Sequence, residues 1–188
     1  MSRLTGSVFS IVLILAISVA HSSLEAQTNS PVPEALKHFK AAEAPKPAPQ
    51  TPFLEGEATR RTLADYKGKG IVLNFWATWC APCIKEMPQL DKLQTLSKDK
   101  GVVVLTVSED RGAAAMVEKF LTLNNLKNLP PLRDPEGALM RRFGIRGLPT
   151  TILIDAQGND VGRVVGPAEW DNPEVVAFIH KLIGTKRP

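Results

Sequence analysis

Cysteine is scarce in this chain: Cys80 and Cys83 are the two thiols in 188 residues. That excludes a disulfide-stapled scaffold, and with only three scattered histidines, His21, His38 and His180, it also excludes a zinc finger. Tyrosine occurs once and aromatics make up 6% of the residues. No cluster of Lys and Arg is interleaved with aromatics, and Lys+Arg 23 against Asp+Glu 19 leaves a surplus of +4. Spread over this length, that surplus makes no phosphate-binding face, so no nucleic-acid partner is expected. Internal repeats and long charge blocks are also missing. What remains is 44% hydrophobic and 22% charged, enough apolar material to bury a core. The length suits one domain with some additional chain. Composition thus points to a small globular α/β domain carrying one cysteine pair.

The N-terminal segment stands apart. Arg3 precedes a run of thirteen charge-free residues from Val8 to Ala20. A short apolar run behind a basic start is the mark of an export signal. A spanning helix needs about 20 residues, and Leu4 to Ala20 nearly reaches that length. Residues 1–26 therefore read either as a cleaved signal peptide or as an N-terminal membrane anchor. In both cases Arg3 stays on the cytoplasmic side and the rest of the chain crosses, which makes the periplasm the expected location. Residues 27–50, dense in Pro, Ala and Lys, read as a linker between that segment and a domain over residues 51–188.

Within that domain, strands alternate with helices. Ile71 to Phe75 is a short apolar run, as in a strand buried on both faces, and Val102 to Val107 is a second. Between them, Ile84, Met87, Leu90, Leu93 and Leu96 recur at helical spacing over Pro82 to Lys98. A second helix is predicted over Ala113 to Leu123, with Met116, Val117, Phe120 and Leu121 on its apolar side, and a short one over Gly137 to Phe143. Thr150 to Ile154 and Val161 to Val165 flank a turn at Ala156-Gln157-Gly158-Asn159. Asn172 and Pro173 open a last helix that runs to about Ile183. The predicted architecture is a central mixed β-sheet flanked by helices, and that order, with the Cys80/Cys83 pair between the first strand and the first helix, is thioredoxin-like in outline.

The chemistry lies at Trp79-Cys80-Ala81-Pro82-Cys83. Residues three apart in a first helical turn share a face and are close enough for a disulfide. Free N–H groups and positive partial charge at the helix start stabilise a thiolate at Cys80. Pro82 stands where the helix needs no N–H from it and stiffens the turn. Cys80 is thus predicted to be the exposed nucleophile, and Cys83 the resolving thiol that breaks the mixed disulfide. A purely structural disulfide is disfavoured, because so small a loop gains little from closure. A metal site would need further ligands, and the three histidines lie outside the strand, turn and helix that carry the pair. No metal and no cofactor are expected. A peroxidase of the peroxiredoxin kind would carry Pro-x-x-x-Thr-x-x-Cys, which the residues before Cys80 do not match.

The stretch Asn74-Phe75-Trp76-Ala77-Thr78-Trp79-Cys80-Ala81-Pro82-Cys83, followed by Lys85-Glu86-Met87-Pro88, resembles the TlpA-type membrane-anchored thioredoxins of bacterial envelopes and their relatives in cytochrome c maturation. Gly147-Leu148-Pro149-Thr150-Thr151 is similar to the family's cis-proline loop, and Gly166 to Trp170 to a TlpA-type sequence. The resemblance covers about residues 51–188 and implies a thioredoxin fold and a thiol:disulfide oxidoreductase. It also implies a cis Pro149, with Leu148 turned toward Cys80 where a substrate strand can pair. Trp79 and Pro82 are expected to contact substrate, while Trp170 is assigned to the core and His180 to solvent. Cytosolic thioredoxins have a buried Asp where Asn74 stands, and Asn cannot titrate. Glu86, one turn beyond Cys83, is the replacement candidate for taking the Cys83 proton.

The direction of electron flow is read from what lies between the cysteines. Ala-Pro lacks the His found in strongly oxidising relatives, which favours a reductase. The resemblance implies a membrane electron donor of the CcdA or DsbD kind. It likewise implies substrates among disulfide-bearing envelope proteins, a copper-delivery protein for cytochrome oxidase or apocytochrome c. A disulfide-forming oxidase and a copper-binding chaperone module are the alternatives. A monomer is the simplest expectation.

Overall fold

The computed structural model describes residues 31–185. The expected signal or anchor, residues 1–26, lies outside them. Eight strands form one mixed sheet: β1 (Phe39–Pro47), β2 (Phe53–Glu55), β3 (Thr59–Arg61), β4 (Gly70–Trp76), β5 (Val102–Ser108), β6 (Leu132–Arg133), β7 (Thr150–Ile154) and β8 (Asn159–Val165). Their order is β1-β8-β7-β4-β5-β6-β2-β3. Among the described residues four α-helices accompany them: α1 (Ala81–Ser97), α2 (Ala114–Leu123), α3 (Ala138–Arg142) and α4 (Pro173–Ile183). This is the predicted mixed sheet flanked by helices.

The central strand is β4, parallel to β5 and antiparallel to β7, with all seven residues buried. Side chains alternate across a strand, so Val72, Asn74 and Trp76 point to one face and Ile71, Leu73 and Phe75 to the other. The first face packs beneath Met87, Leu90 and Leu93 of α1 and Val175 and Ile179 of α4. The second face packs with Leu139 of α3 and with Phe143, whose ring meets Phe75 edge-on at 5.9 Å. Because Asn74 shares the Val72 face, its amide lies under α1, and this alternation is what joins it to Glu86.

The expected linker is corrected by the sheet. Its second half is part of the fold: Leu36 is buried, and β1 pairs antiparallel with β8 from Phe39↔Val164 to Pro47↔Asn159. Phe39 stacks edge-on against Phe178 of α4 at 5.3 Å. It lies across Gly162, where a Cβ would fall 2.6 Å from the Phe39 ring. A strand containing Pro45, Lys46 and Pro47 is tolerated because it lies at the sheet edge, and its register breaks between Ala41 and Lys46.

Three smaller expectations also change. Leu96 and Met116, assigned to apolar faces, are exposed. At the end of α1, Ser97 turns inward instead, its Oγ 2.9 Å from Nε2 of His180. His180 is therefore half-buried rather than solvated, and burial, with Lys100 nearby, lowers its pKa. Among the described residues no helix is long and apolar enough to cross a membrane.

Candidate active site

Strand β4 ends at Trp76, and the turn through Ala77, Thr78 and Trp79 delivers Cys80 to the N-cap of α1. Cys80 is extended (φ −90°, ψ 97°), and its carbonyl accepts the first helical bond from Ile84 N at 3.0 Å. The N–H groups of the first turn, which have no partner within the helix, therefore gather beside it. Pro82 stands within that first turn, where its missing N–H costs nothing. Cys83 is joined to Cys80 by a disulfide with Cα atoms 5.3 Å apart, an ordinary separation for such a bond.

The two sulfurs differ in access. Cys83 is wholly buried, while Cys80 retains 6% of its surface and Trp79 beside it 71%. The nucleophile predicted to be exposed is thus nearly covered in the disulfide form, but it is the one of the pair that a partner can reach. Trp79, Cys80, Pro82 and Leu148 all line one open cleft of about 990 Å³. The Leu148–Pro149 bond is cis, and Pro149 leads directly into β7.

Asp110 fixes the loop that carries Trp79 and Cys80, a role that spacing did not reveal. Its carboxylate accepts from Thr78 N (2.9 Å), Thr78 Oγ1 (2.8 Å) and Ser108 Oγ (2.7 Å). Its own N–H donates to Ser108 Oγ at 3.1 Å. Asp110 is 4% exposed, and truncation takes the acceptor from three donors, two on the half-buried Thr78 and one on the buried Ser108. Asp110→Ala is expected to lower folding stability by about 3 kcal/mol, seen as a lower urea midpoint at unchanged slope. An unchanged midpoint would mean that water serves those donors equally well.

Glu86 sits on the buried face of α1, one turn after Cys83, and is 2% exposed. Its Oε1 accepts from Asn74 Nδ2 at 2.9 Å; its Oε2 accepts from Trp170 Nε1 at 2.8 Å and from Ala168 N at 3.1 Å. Burial pushes its pKa up to about 7, against the lowering effect of the Trp170, Ala168 and Asn74 hydrogen bonds. Asn74 Nδ2 also donates to Thr151 Oγ1 at 2.9 Å, while Asn74 Oδ1 has no partner among the described residues. Trp170 is core, as expected, and wholly buried. It is also a site contact through its indole N–H, which its place in the family-like Gly166–Trp170 segment hinted at without specifying.

A second cavity, of about 810 Å³, opens on the other side of the α1 N-terminus and is lined by Pro82, Lys85, Glu86, Ala168 and His38. Glu86 lines this cavity while staying 2% exposed. Among the described residues no group of three or more His, Cys, Asp or Glu is placed to hold a metal ion.

A buried carboxyl of raised pKa behind a cysteine pair at a helix N-terminus is chemically suited to thiol–disulfide exchange, and comparison with known proteins agrees. The Redoxin family model matches residues 32–179. The chain is 38% identical over 137 residues to the thiol-disulfide oxidoreductase ResA of Bacillus thuringiensis subsp. konkukian, covering 73% of this chain and 77% of that protein. Among solved structures it is similar to the exposed lipoprotein thioredoxin of Streptococcus pneumoniae, with 35% identity and a TM-score of 0.55, covering 63% of this chain and 93% of that one. It is likewise similar to StoA of Bacillus subtilis, with 27% identity and a TM-score of 0.57, covering 70% and 99%.

Proposed function

This chain belongs to the Redoxin family and is a thioredoxin-like thiol-disulfide oxidoreductase of the TlpA/ResA kind, and from that premise we propose that it is a reductase of disulfides in envelope proteins. Cys80, as thiolate, attacks one sulfur of the substrate disulfide to give a mixed disulfide and release the other substrate sulfur. Cys83 passes its proton to Glu86 and attacks Cys80 Sγ, which releases the second substrate sulfur and closes the Cys80–Cys83 bond. Trp79, Pro82, Leu148 and Pro149 form the surface on which the substrate strand lies. The observation that carries this reading is the buried Glu86, held by three donors one turn behind the wholly buried Cys83.

The substrates we assign are a copper-delivery protein for cytochrome oxidase or apocytochrome c, with electrons arriving from a CcdA- or DsbD-like membrane donor. The location is the periplasm, reached through the export signal or anchor of residues 1–26. Sequence resemblance in the Cys-pair and Gly166–Trp170 segments supports this finer assignment. The relative named as an exposed lipoprotein is consistent with work outside the cytoplasm.

The reduction potential of the Cys80–Cys83 pair tests the direction. A reductase is expected near or below the value of thioredoxin, about −270 mV, read by Trp79 fluorescence in defined thiol buffers. A value near about −120 mV would make the protein a disulfide donor and reverse the proposed electron flow.

A further inference from the structure

The cleft in front of Cys80 contains a carboxyl that the steps above leave idle. Glu109 follows β5 directly, and its N–H is tied to Trp76 O at 2.8 Å, so its backbone is fixed to the strand that delivers Cys80. Its side chain lines the same cleft as Trp79, Cys80 and Leu148. Its Oε1 is buried and accepts from no group among the described residues.

The neighbouring buried carboxyls are committed elsewhere. Asp110 serves Thr78 and Ser108. Asp134 accepts from Ala138 N at 2.9 Å and Met140 N at 3.0 Å. Glu109 therefore stands on the cleft wall with one carboxyl oxygen that is buried and serves no other group among the described residues. Arg141 is the cation acting on it, yet burial and the charges of Asp134 and Asp110 outweigh that cation and push the Glu109 pKa up to about 8. The remaining charged groups on the cleft wall are Arg111, Glu136 and Arg146. The raised pKa favours the protonated form of Glu109 at neutral pH, on the wall of the cleft that Cys80 shares.

We propose that Glu109 is the proton donor to the sulfur that the substrate releases in the first exchange. This rests on the reductase reading above. The Cys80–substrate S–S bond forms as the substrate S–S bond breaks; the departing sulfur takes the electron pair and the Glu109 proton, leaving as a thiol. The Glu109 carboxylate then regains a proton from water in the open cleft. No electrons pass through Glu109. The two carboxyls so divide the reaction, Glu109 giving a proton in front of Cys80 and Glu86 taking one behind Cys83.

A general acid matters only when the leaving group is basic, which separates this role from a structural one. The full chain and its Glu109→Gln variant, both pre-reduced, are oxidised by two disulfides, and the rates are followed by Trp fluorescence. Glutathione disulfide releases an alkyl thiolate that benefits from a proton; dithiobis(nitrobenzoate) releases an aryl thiolate that leaves without one. Glu109→Gln is expected to be about a hundredfold slower with glutathione disulfide and within about twofold of wild type with the aryl disulfide. Equal slowing with both, or no slowing with either, would overturn the proposal. Glu109→Asp, which keeps the acid, is expected to recover part of the selective loss; a loss as deep as that of the Gln variant would count against proton donation. A wild-type chain inert toward both disulfides would instead remove the reductase reading, and this inference with it.

Discussion

Substituting Ser for Cys80 is expected to abolish disulfide reduction, by roughly a thousandfold or more, because no second thiol is accessible to take its place. Cys83 is wholly buried in the disulfide form, and a partner sulfur meets Trp79 and the Cys80 edge first. The complementary substitution behaves differently. In Cys83→Ser the first exchange proceeds and the second cannot, so the substrate stays joined to Cys80 as a mixed disulfide. Mass spectrometry of the full chain after reaction with a disulfide-bearing protein is expected to show one adduct per molecule, reversed by a small-molecule thiol. Appreciable turnover by Cys80→Ser, or an adduct on Cys83 in that variant, would interchange the two roles. The same Cys83→Ser protein, exposed to an envelope extract, identifies substrates by the proteins it retains. A copper-delivery protein among them would support the finer assignment made above, and apocytochrome c would favour its alternative.

What the chain discloses about itself follows from how strongly each element is patterned. The buried strands β4, β5 and β7 were legible because strands covered on both faces read as short β-branched and apolar runs. Helix α1 was legible from its periodicity, and α4 from Asn172, which accepts from Glu174 N at 2.9 Å as an N-cap does. Strand β1 was not legible, because an edge strand needs no alternation. Of its nine residues only Phe39 and Ala42 are partly buried, and its Pro and Lys content is what a tether would show. The short strands β2, β3 and β6 offer too few residues for a period to emerge; β6 has two, pairing Leu132 with Val107 and Arg133 with Ser108. The site divides along the same line. Cys83 and Glu86 lie within one helix and Cys80 caps it, so spacing reports their proximity. Asp110 and Glu109 are brought to the strand and turn before Cys80 by the parallel pairing of β5 with β4, and Trp170 to Glu86 by the packing of the segment before α4. Those contacts are long-range, and one sequence contains no periodicity that encodes them.

Glu86→Gln is expected to slow reduction about a hundredfold at neutral pH, with the loss falling on the second exchange. The folded carboxyl is raised from an ordinary 4.5 to about 7, mainly by burial, so it can hold the Cys83 proton and release it near physiological pH. The amide keeps the shape and removes the titration: an inflection near 7 is expected in the pH–rate profile of wild type and not in that of the variant. An unchanged profile would eliminate Glu86 as the acceptor. Stability supplies an independent check in the disulfide form. A raised folded pKa means that the native state binds the proton more tightly, so the associated stability is complete below about 4.5 and is lost as pH rises through about 7. The ionised form is then disfavoured by on the order of 3 kcal/mol, and urea midpoints of wild type should fall relative to the Glu86→Gln variant over that window. Asn74 makes the substitution tolerable. Its Nδ2 meets Glu86 Oε1 while its Oδ1 is unpartnered, so a half-turn of the amide offers an acceptor to the introduced side-chain NH2, and equally to the O–H of protonated Glu86. Thr151, whose hydroxyl accepts from Asn74 Nδ2, can donate to Oδ1 after the same turn. An Asp at position 74 would have no such second face. Two buried carboxyls would share one proton there, and the resolving step would depend on the pair rather than on Glu86 alone. Asn74→Asp is accordingly expected to replace the single inflection by two, a separation measurable in the same pH–rate series.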